Sequence, residues 1–364
     1  EDKYTITLAS HFISEIIELL QSEISSYKPS VSEKIILAQG EILSTTLFQF
    51  LLEERKINSC LLSALDFMKI DNNAEPENDS IRKNLIELLE KKKGFQIYIT
   101  QGFICTNDKN EIDNLGRGGS DYTASLIGGA LVSEEIQIWT DIDGMHNNDP
   151  RVIENTQPIR YLSYDEAAEL AYFGAKILHP STVRPAKLAK VPVRLKNTLQ
   201  PEDEGTLIDG NNDGIGFKAV AAKDNIIAIK IKSGRMLMAY GFIRKVFEVF
   251  EIYKTSIDMV TTSEVAISMT IDDDKYLDLI VLELEKLGIV TVDYNQTIVA
   301  VVGELMAEQK GYARQLFSAL REVPIRMISY GASKNNISIL VNTSDKIRTL
   351  QAIHHGVFNK YGGL

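Results

Sequence analysis

The chain has 364 residues, and at about 150 residues per domain that length predicts two to three domains, not one small binding module. Apolar residues make up 44% and charged residues 24%, which excludes a disordered, collagen-like or disulfide-scaffold protein. The 39 Lys and Arg against 50 Asp and Glu leave a formal charge of −11, a field that repels phosphate backbones and anionic membranes, so neither nucleic acid nor membrane is an expected partner.

In chain order, Phe12, Ile13, Ile16, Ile17, Leu20 and Ile24 recur at helical spacing and predict an amphipathic helix. Ile35-Ile-Leu-Ala38 reads as a short buried strand ended by Gln39-Gly-Glu41, with a helix from Ile42 to about Glu54, which places Glu41 where a strand meets a helix N-terminus. Further strands are expected at 59–65, 95–100, 135–141 and 191–195, with helices near 80–93, 121–132 and 163–177. Ser163-Tyr-Asp-Glu166 is a capping-box signature for the start of the last of these. Strands alternating with helices predict an α/β fold with a mainly parallel sheet between helices, and such sheets bind ligands at the C-terminal ends of their strands. Two cysteines, Cys60 and Cys105, without a Cys or His at metal spacing, predict a reducing cytoplasm and no metal site. No run reaches the roughly 18 to 20 apolar residues of a membrane span, and Glu1-Asp-Lys-Tyr4 does not open a signal peptide, so a soluble protein is expected.

Residues 199–216 are rich in turn formers and set the expected domain boundary, giving a catalytic part over 1–215 and a second part over 216–364. The second part carries an internal repeat. Gly241, Phe242, Arg244, Phe247, Ile267 and Ser268 match Gly311, Tyr312, Arg314, Phe317, Ile337 and Ser338 about 70 residues on, so two α+β units are expected.

The densest chemical signal is Gly116-Arg-Gly-Gly-Ser-Asp121, just before a predicted helix. Glycines let backbone N–H groups turn toward an anion, the helix N-terminus adds partial positive charge, and Arg117 offers a two-pronged cation. A glycine-rich turn without a ligand is the alternative, and the adjoining Arg, Ser and Asp weigh against it. Ile138-Trp-Thr-Asp-Ile-Asp-Gly144 with Asp149-Pro-Arg151 ends a predicted strand, where polar groups suit ribose and phosphate, although Asp-Gly and Asp-Pro are also ordinary turn formers. Phe173-Gly-Ala-Lys-Ile-Leu-His-Pro180 ends a helix; Lys176 there either reaches a phosphate or only complements the helix dipole. The P-loop, dinucleotide and protein-kinase fingerprints are absent from the sequence.

Together and in order, these stretches resemble the aspartokinases of the amino acid kinase superfamily, and the repeated tail resembles a pair of ACT regulatory domains. Thr261-Thr-Ser-Glu-Val265 and Ile328-Ser-Tyr-Gly-Ala-Ser333 are similar to the lysine-sensitive monofunctional type. The resemblance implies transfer of the ATP γ-phosphoryl group to the side-chain carboxylate of L-aspartate, as the first step of lysine, threonine and methionine biosynthesis, under feedback inhibition by L-lysine. It implies that Glu41 and Arg117 hold the substrate, that Phe103 and Ser120 line its pocket, and that Asp121 lies beside the transferring group. Thr140, Asp141, His146, Arg151 and Lys176 would follow the nucleotide, with His146 where relatives often carry Tyr. Mg²⁺ would come bound through the nucleotide phosphates, without a protein metal site.

In the tail, the resemblance places an effector loop at Met236, Ala239, Gly241, Phe242 and Ile243, facing a strand side of Ser256, Ile257, Asp258, Thr262, Ser263 and Glu264. The apolar members of that loop read equally well as core. Paired ACT surfaces imply a homodimer or a dimer of dimers. The family's opening Lys-Phe-Gly-Gly-Thr-Ser does not occur in this sequence, so the first βα units of the catalytic part are expected to be missing from this numbering. The alternatives are an effector-binding protein without turnover and a kinase for another amino acid.

Overall fold

The computed structural model describes residues 3–29, 31–174, 178–211, 216–234, 240–304, 306 and 308–358. The chain begins with helices α1 (Lys3–Ser25) and α2 (Ser32–Glu54), then β1 (Ser59–Leu62), α3 (Asn78–Lys91) and β2 (Ile97–Thr100). A hairpin of β3 (Ile104–Thr106) and β4 (Ile112–Asn114) leads into α4 (Gly119–Leu131) and β5 (Ile136–Thr140). There follow β6 (Tyr161–Ser163), α5 (Tyr164–Tyr172), α6 (Pro180–Ala189), β7 (Val193–Asn197) and β8 (Thr206–Asp209). The C-terminal part contains β9 (Gly216–Lys232), α7 (Phe242–Ile252), β10 (Val260–Thr262), β11 (Ala266–Ile271) and α8 (Leu277–Glu285). It ends with β12 (Ile289–Glu304), α9 (Tyr312–Ala319), β13 (Met327–Tyr330), β14 (Asn336–Asn342) and α10 (Lys346–Ile353). Two compact units emerge: residues 1–142, 178–201 and 207–210 form the first, and 143–177, 202–206 and 211–364 the second.

In the first unit, β1 runs parallel to β2 with Ser59 opposite Ile97, and β5 runs parallel to β7 with Ile136 opposite Val193. Parallel strands need helical crossovers, which α3 and α6 supply. Phe67, Met68, Ile70, Ile81, Leu85, Ile104 and Leu126 form the core with Ala38 of α2. Both cysteines are free and buried, and burial, with Asp113 adding to it, pushes the Cys105 thiol up to about 12.

The strand expected at Ile35–Ala38 does not form; these residues lie inside α2. Four consecutive apolar residues fit a strand or a helix, and here the helical face wins, since Ala38, Gln39, Gln49 and Leu52 are its buried positions. Gln39 Nε2 donates to the Ile35 carbonyl at 2.9 Å, one turn back. Gly40 is carried in the helix interior with no atom within 4 Å of the place a Cβ would occupy. By length and a mean hydropathy of 1.5, α2 is also apolar enough to cross a membrane, contrary to the expectation from uninterrupted apolar runs, because polar residues such as Gln39 and Glu41 break its run without lowering its average below that range. It packs on α1, β1 and β4.

In the second unit, β9 and β12 pair antiparallel and join two half-sheets in the order β10-β11-β9-β12-β14-β13. The repeat is visible in the core. Ile229, Ile231, Val246, Ile267, Met269 and Ile280 of one cluster recur as Val299, Val301, Leu316, Ile337, Ile339 and Leu350 of the other. One position breaks the correspondence: Leu284 in the first copy becomes His354 in the second. His354 is 2% exposed in a π-helical turn, neither ring nitrogen has a partner among the described residues, and burial lowers its pKa.

Gly40→Ala should therefore raise stability by about 0.5 to 1 kcal/mol, read as a higher urea midpoint, because a helix interior favours Ala over Gly; a lower midpoint would mean the segment is not helical. A base whose folded pKa is depressed contributes stability that is fully present above its unfolded value of about 6.5 and is lost as pH falls through the folded pKa. His354→Leu should accordingly flatten the stability profile of the second unit below that pH, measured by thermal melts in a buffer series.

Candidate active site

The glycine loop is shaped by a steric constraint. Gly116 and Gly118 adopt left-handed backbone, with φ of 71° and 72°, and Gly118 is the N-cap of α4. A Cβ on Gly118 would lie 2.4 Å from Cβ of His179, so that side chain fills the space beside the loop. His179 is itself the N-cap of α6: its Nδ1 accepts from the Ser181 N–H at 3.3 Å, which places the proton of the neutral ring on Nε2. The first-turn N–H groups of α4 have no intrahelical partner and form, with Arg117, a positive rim. Among the described residues Arg117 makes no ion pair, so its guanidinium is available to a ligand.

Glu41, Phe103 and residues 116–121 line one cavity of about 350 Å³. Glu41, Phe103, Arg117, Ser120 and Asp121, drawn from distant stretches of sequence, are thus brought together. Glu41 arrives differently from expectation: it projects from the middle of α2 and not from a strand–helix junction, so no helix N-terminus stabilises its charge. Phe103 holds φ of 68°, a strained conformation for a bulky residue, with its N–H donating to Thr123 Oγ1 at 3.1 Å and its carbonyl accepting from the Leu115 N–H at 2.8 Å. At Gly102 a Cβ would lie 2.9 Å from Ser120 Cα, so this turn and the glycine loop pack backbone to backbone.

Sequence reasoning missed what ties these pieces together. Gln101 is 3% exposed; its Oε1 accepts from the Ala64 N–H at 2.8 Å and its Nε2 donates to Thr45 Oγ1 at 2.9 Å. Thr45 Oγ1 in turn donates to the Glu41 carbonyl at 2.8 Å, so α2 is latched to the end of β2. A polar residue directly after a predicted strand and before Gly102 was the available signal. His179 was visible only as part of a motif.

The electrostatics are asymmetric. Burial raises the Asp121 carboxyl above the usual carboxylate range, with His179 opposing the shift. Burial and the nearby Arg117 lower the His179 ring, keeping it neutral near pH 7, with Asp121 pulling the other way. The rim therefore offers a fixed cation and N–H donors beside an acid whose charge is weakly held.

The residues expected along a nucleotide divide between the units. Thr140 and Asp141 follow the end of β5 in the first unit, with Thr140 Oγ1 donating to Asp141 Oδ1 at 3.1 Å. In the second unit, His146 lies 2.7 Å from Asp143 and 2.8 Å from Thr156, and Arg151 pairs with Asp149 through two bonds of 2.9 and 2.7 Å. Lys176 lies outside the described residues.

Of the effector candidates, Met236 and Ala239 lie outside the described residues. Gly241 caps α7 with φ of 81°, Phe242 is buried and Ile243 is exposed. Ser256 is exposed, Ile257 packs against the first repeat's core, and Thr262, Ser263 and Glu264 form an exposed edge. The Asp258 side chain is 1% exposed; its Oδ1 accepts from Lys223 Nζ and Tyr172 Oη, each at 2.8 Å, while Oδ2 is buried without a partner among the described residues.

Comparison with known proteins resolves the class. Residues 9–197 match the amino acid kinase family, and residues 299–357 match an ACT domain. The chain is 32% identical over 358 residues to lysine-sensitive aspartokinase 3 of Escherichia coli, covering 95% of this chain and 80% of that one. The crystal structure of E. coli aspartokinase III with aspartate and ADP superposes with a TM-score of 0.87 at 31% identity, over 96% of this chain and 81% of that one. The structure of the same enzyme with lysine and aspartate gives 0.78 at 32%, over 97% and 82%. The chain spans between 48% and 66% of the length of three chloroplastic aspartokinases of Arabidopsis thaliana that it also matches. A kinase-type α/β unit followed by an ACT region defines an amino acid kinase under small-molecule control. Within that class, this chain belongs to the aspartokinases.

Gly118→Ala should displace His179 and strain φ, destabilising the first unit by about 1 to 3 kcal/mol. A thermal melt showing no loss would mean the loop relaxes without the contact.

Proposed function

We propose that this chain phosphorylates L-aspartate on its side-chain carboxylate with ATP, giving 4-phospho-L-aspartate, and that L-lysine inhibits it. The observation that supports this most directly is the single cavity that gathers Glu41, Phe103, Arg117, Ser120 and Asp121 around the N-terminus of α4. Residues 1–215 would form the catalytic domain and 216–364 the regulatory one, acting as a homodimer or a dimer of dimers in a cytoplasmic setting.

A carboxylate with a pKa near 3.9 is already ionised at neutral pH, so the nucleophile needs no general base. The barrier is the approach of two anions, and what lowers it is fixed positive potential. Arg117 and the first-turn N–H groups of α4 supply that potential without reorganisation. Glu41 is negative and so serves the substrate's ammonium, selecting an amino acid over a plain dicarboxylate. Phe103 and Ser120 shape the pocket around the substrate's body. Asp121, with its raised carboxyl, organises the polar end of the site as the phosphoryl group crosses.

Thr140, Asp141, His146, Arg151 and Lys176 would follow the nucleotide. A phosphate reaching Arg151 competes with Asp149, a weak competitor because the Arg side chain is 65% exposed. Among the described residues no group of three His, Cys, Asp or Glu is placed to hold a metal, which fits a Mg²⁺ carried on the nucleotide's phosphates. That ion would supply further neutralisation of the transferring charge.

The test is ATP- and aspartate-dependent formation of a hydroxylamine-trappable acyl phosphate, by this chain and by a version opening with a family-type Lys-Phe-Gly-Gly-Thr-Ser segment. No product from either would reject the reading. Arg117→Ala should cost about 100- to 1,000-fold in kcat, the usual loss for one such stabilising group. Glu41→Gln should instead raise KM for aspartate and narrow the preference for aspartate over succinate, with a smaller effect on kcat.

A further inference from the structure

A second cavity, of about 360 Å³, lies wholly within the second unit and is used by none of the roles above. Its walls are apolar: Phe217 and Tyr312 meet edge to face at 5.0 Å between ring centroids, with Val357, Phe358 and Ile159 beside them. Lys218 adds a cation to the lining. The polar group within it is Asn147, only 7% exposed. The Oδ1 of Asn147 accepts from the Gln157 N–H at 3.0 Å, and its main chain bonds Gln157 and Val220, each at 2.9 Å. Its Nδ2 is left without a hydrogen-bond partner among the described residues, a donor waiting for an acceptor.

The place in the fold is informative. Tyr312 opens α9 directly after Gly311, which is left-handed with φ of 97°, and the corresponding residue of the first repeat is Gly241, with φ of 81°, at the start of α7. The second repeat thus presents the same glycine-capped helix start as the first, and here a closed-in cavity with a buried unpaired amide accompanies it. The size sits at the low end for ligand sites, which run from about 300 to 1,000 Å³, and so suits one small metabolite and not a nucleotide.

We propose that this cavity is a second effector site that takes an α-amino acid with an apolar side chain. The side chain lies among Phe217, Tyr312, Val357 and Phe358. The carboxylate accepts from Asn147 Nδ2 and is balanced by Lys218, whose Nζ otherwise reaches only 3.4 Å from the Tyr161 carbonyl in the contacts given for it. Occupancy is felt by the nucleotide segment through a short path: His146, next to Asn147, is bridged to Pro158, another lining residue, and Asn148 Nδ2 donates to the Leu350 carbonyl of α10 at 3.2 Å. A ligand here therefore stiffens the stretch that carries His146 and Arg151, and its functional signature is a changed KM for ATP.

The test is calorimetric titration of the whole chain with L-leucine, L-methionine and L-phenylalanine, each repeated with L-lysine at saturation. At least one of the three should bind and should still bind when lysine is saturating. Asn147→Asp keeps the acceptor for Gln157 but removes the donor and adds repulsion, so it should weaken that binding at least tenfold; Val357→Trp fills the cavity and should abolish it. Failure of all three amino acids to bind overturns the proposal, as does binding that lysine displaces or that survives both substitutions. Because the readout is binding, a negative result here leaves the kinase assay free to succeed, and the reverse. Where either variant fails to fold, judged by its melting curve, the lysine-saturated titration of the unaltered chain decides alone.

Discussion

The candidate active site depends on one exclusion: beside Gly118 there is no room for a Cβ, because His179 already occupies the space. That contact fixes the left-handed turn at Gly118, and the turn sets where α4 begins and which way its free N–H groups point. Arg117, held between two left-handed glycines, is carried outward into the cavity. On the opposite wall, the latch from Gln101 through Thr45 keeps the middle of α2 in place, so Glu41 faces the same space. Charge separation follows from this geometry: cation and amides on one side, carboxylate on the other, matched to a zwitterion that carries a second acid. Specificity and catalysis thus share a single scaffold decision.

What was legible in the sequence followed from local grammar. The glycine loop announced itself by composition, and its helix begins within two or three residues of the expected place. The capping box at Ser163 forms as read, with the Ser163 N–H donating to Glu166 at 2.8 Å, although α5 ends at Tyr172 and not near 177. The repeat was readable because core positions in both copies must alternate in the same way along paired strands. What was not legible depended on partners far along the chain. Ile35–Ala38 satisfies strand and helix rules equally, and only packing of α2 against β1 and β4 decides. Gln101 gains its meaning from Ala64 and Thr45, and His179 from Gly118, relations that spacing cannot encode.

The second unit places regulatory and catalytic candidates on one continuous body. Asp258, expected to meet a cationic effector, is already neutralised by Lys223, which also pairs with Asp272 at 2.8 Å. An incoming ammonium thus gains only the difference between its own pairing and the internal one, so its effect is a preference between arrangements and not simple attraction. Tyr172, at the end of α5, donates to the same carboxylate, and the neighbouring Gly174 packs so closely on β9 that a Cβ would lie 2.4 Å from the Ala222 carbonyl. Any rearrangement at Asp258 is transmitted to the end of α5 by a hydrogen bond and a backbone contact, without an intervening flexible side chain.

The pairing of β9 with β12 has a mechanical corollary. Each of these strands runs through both repeats, changing partners midway, and the register shifts near Asp293 and Gln296 mark where one copy hands over to the next. Neither repeat owns a complete sheet. The pair cannot fray module by module like beads on a string; it behaves as a stiff plank in which a tilt imposed at one end arrives undiminished at the other.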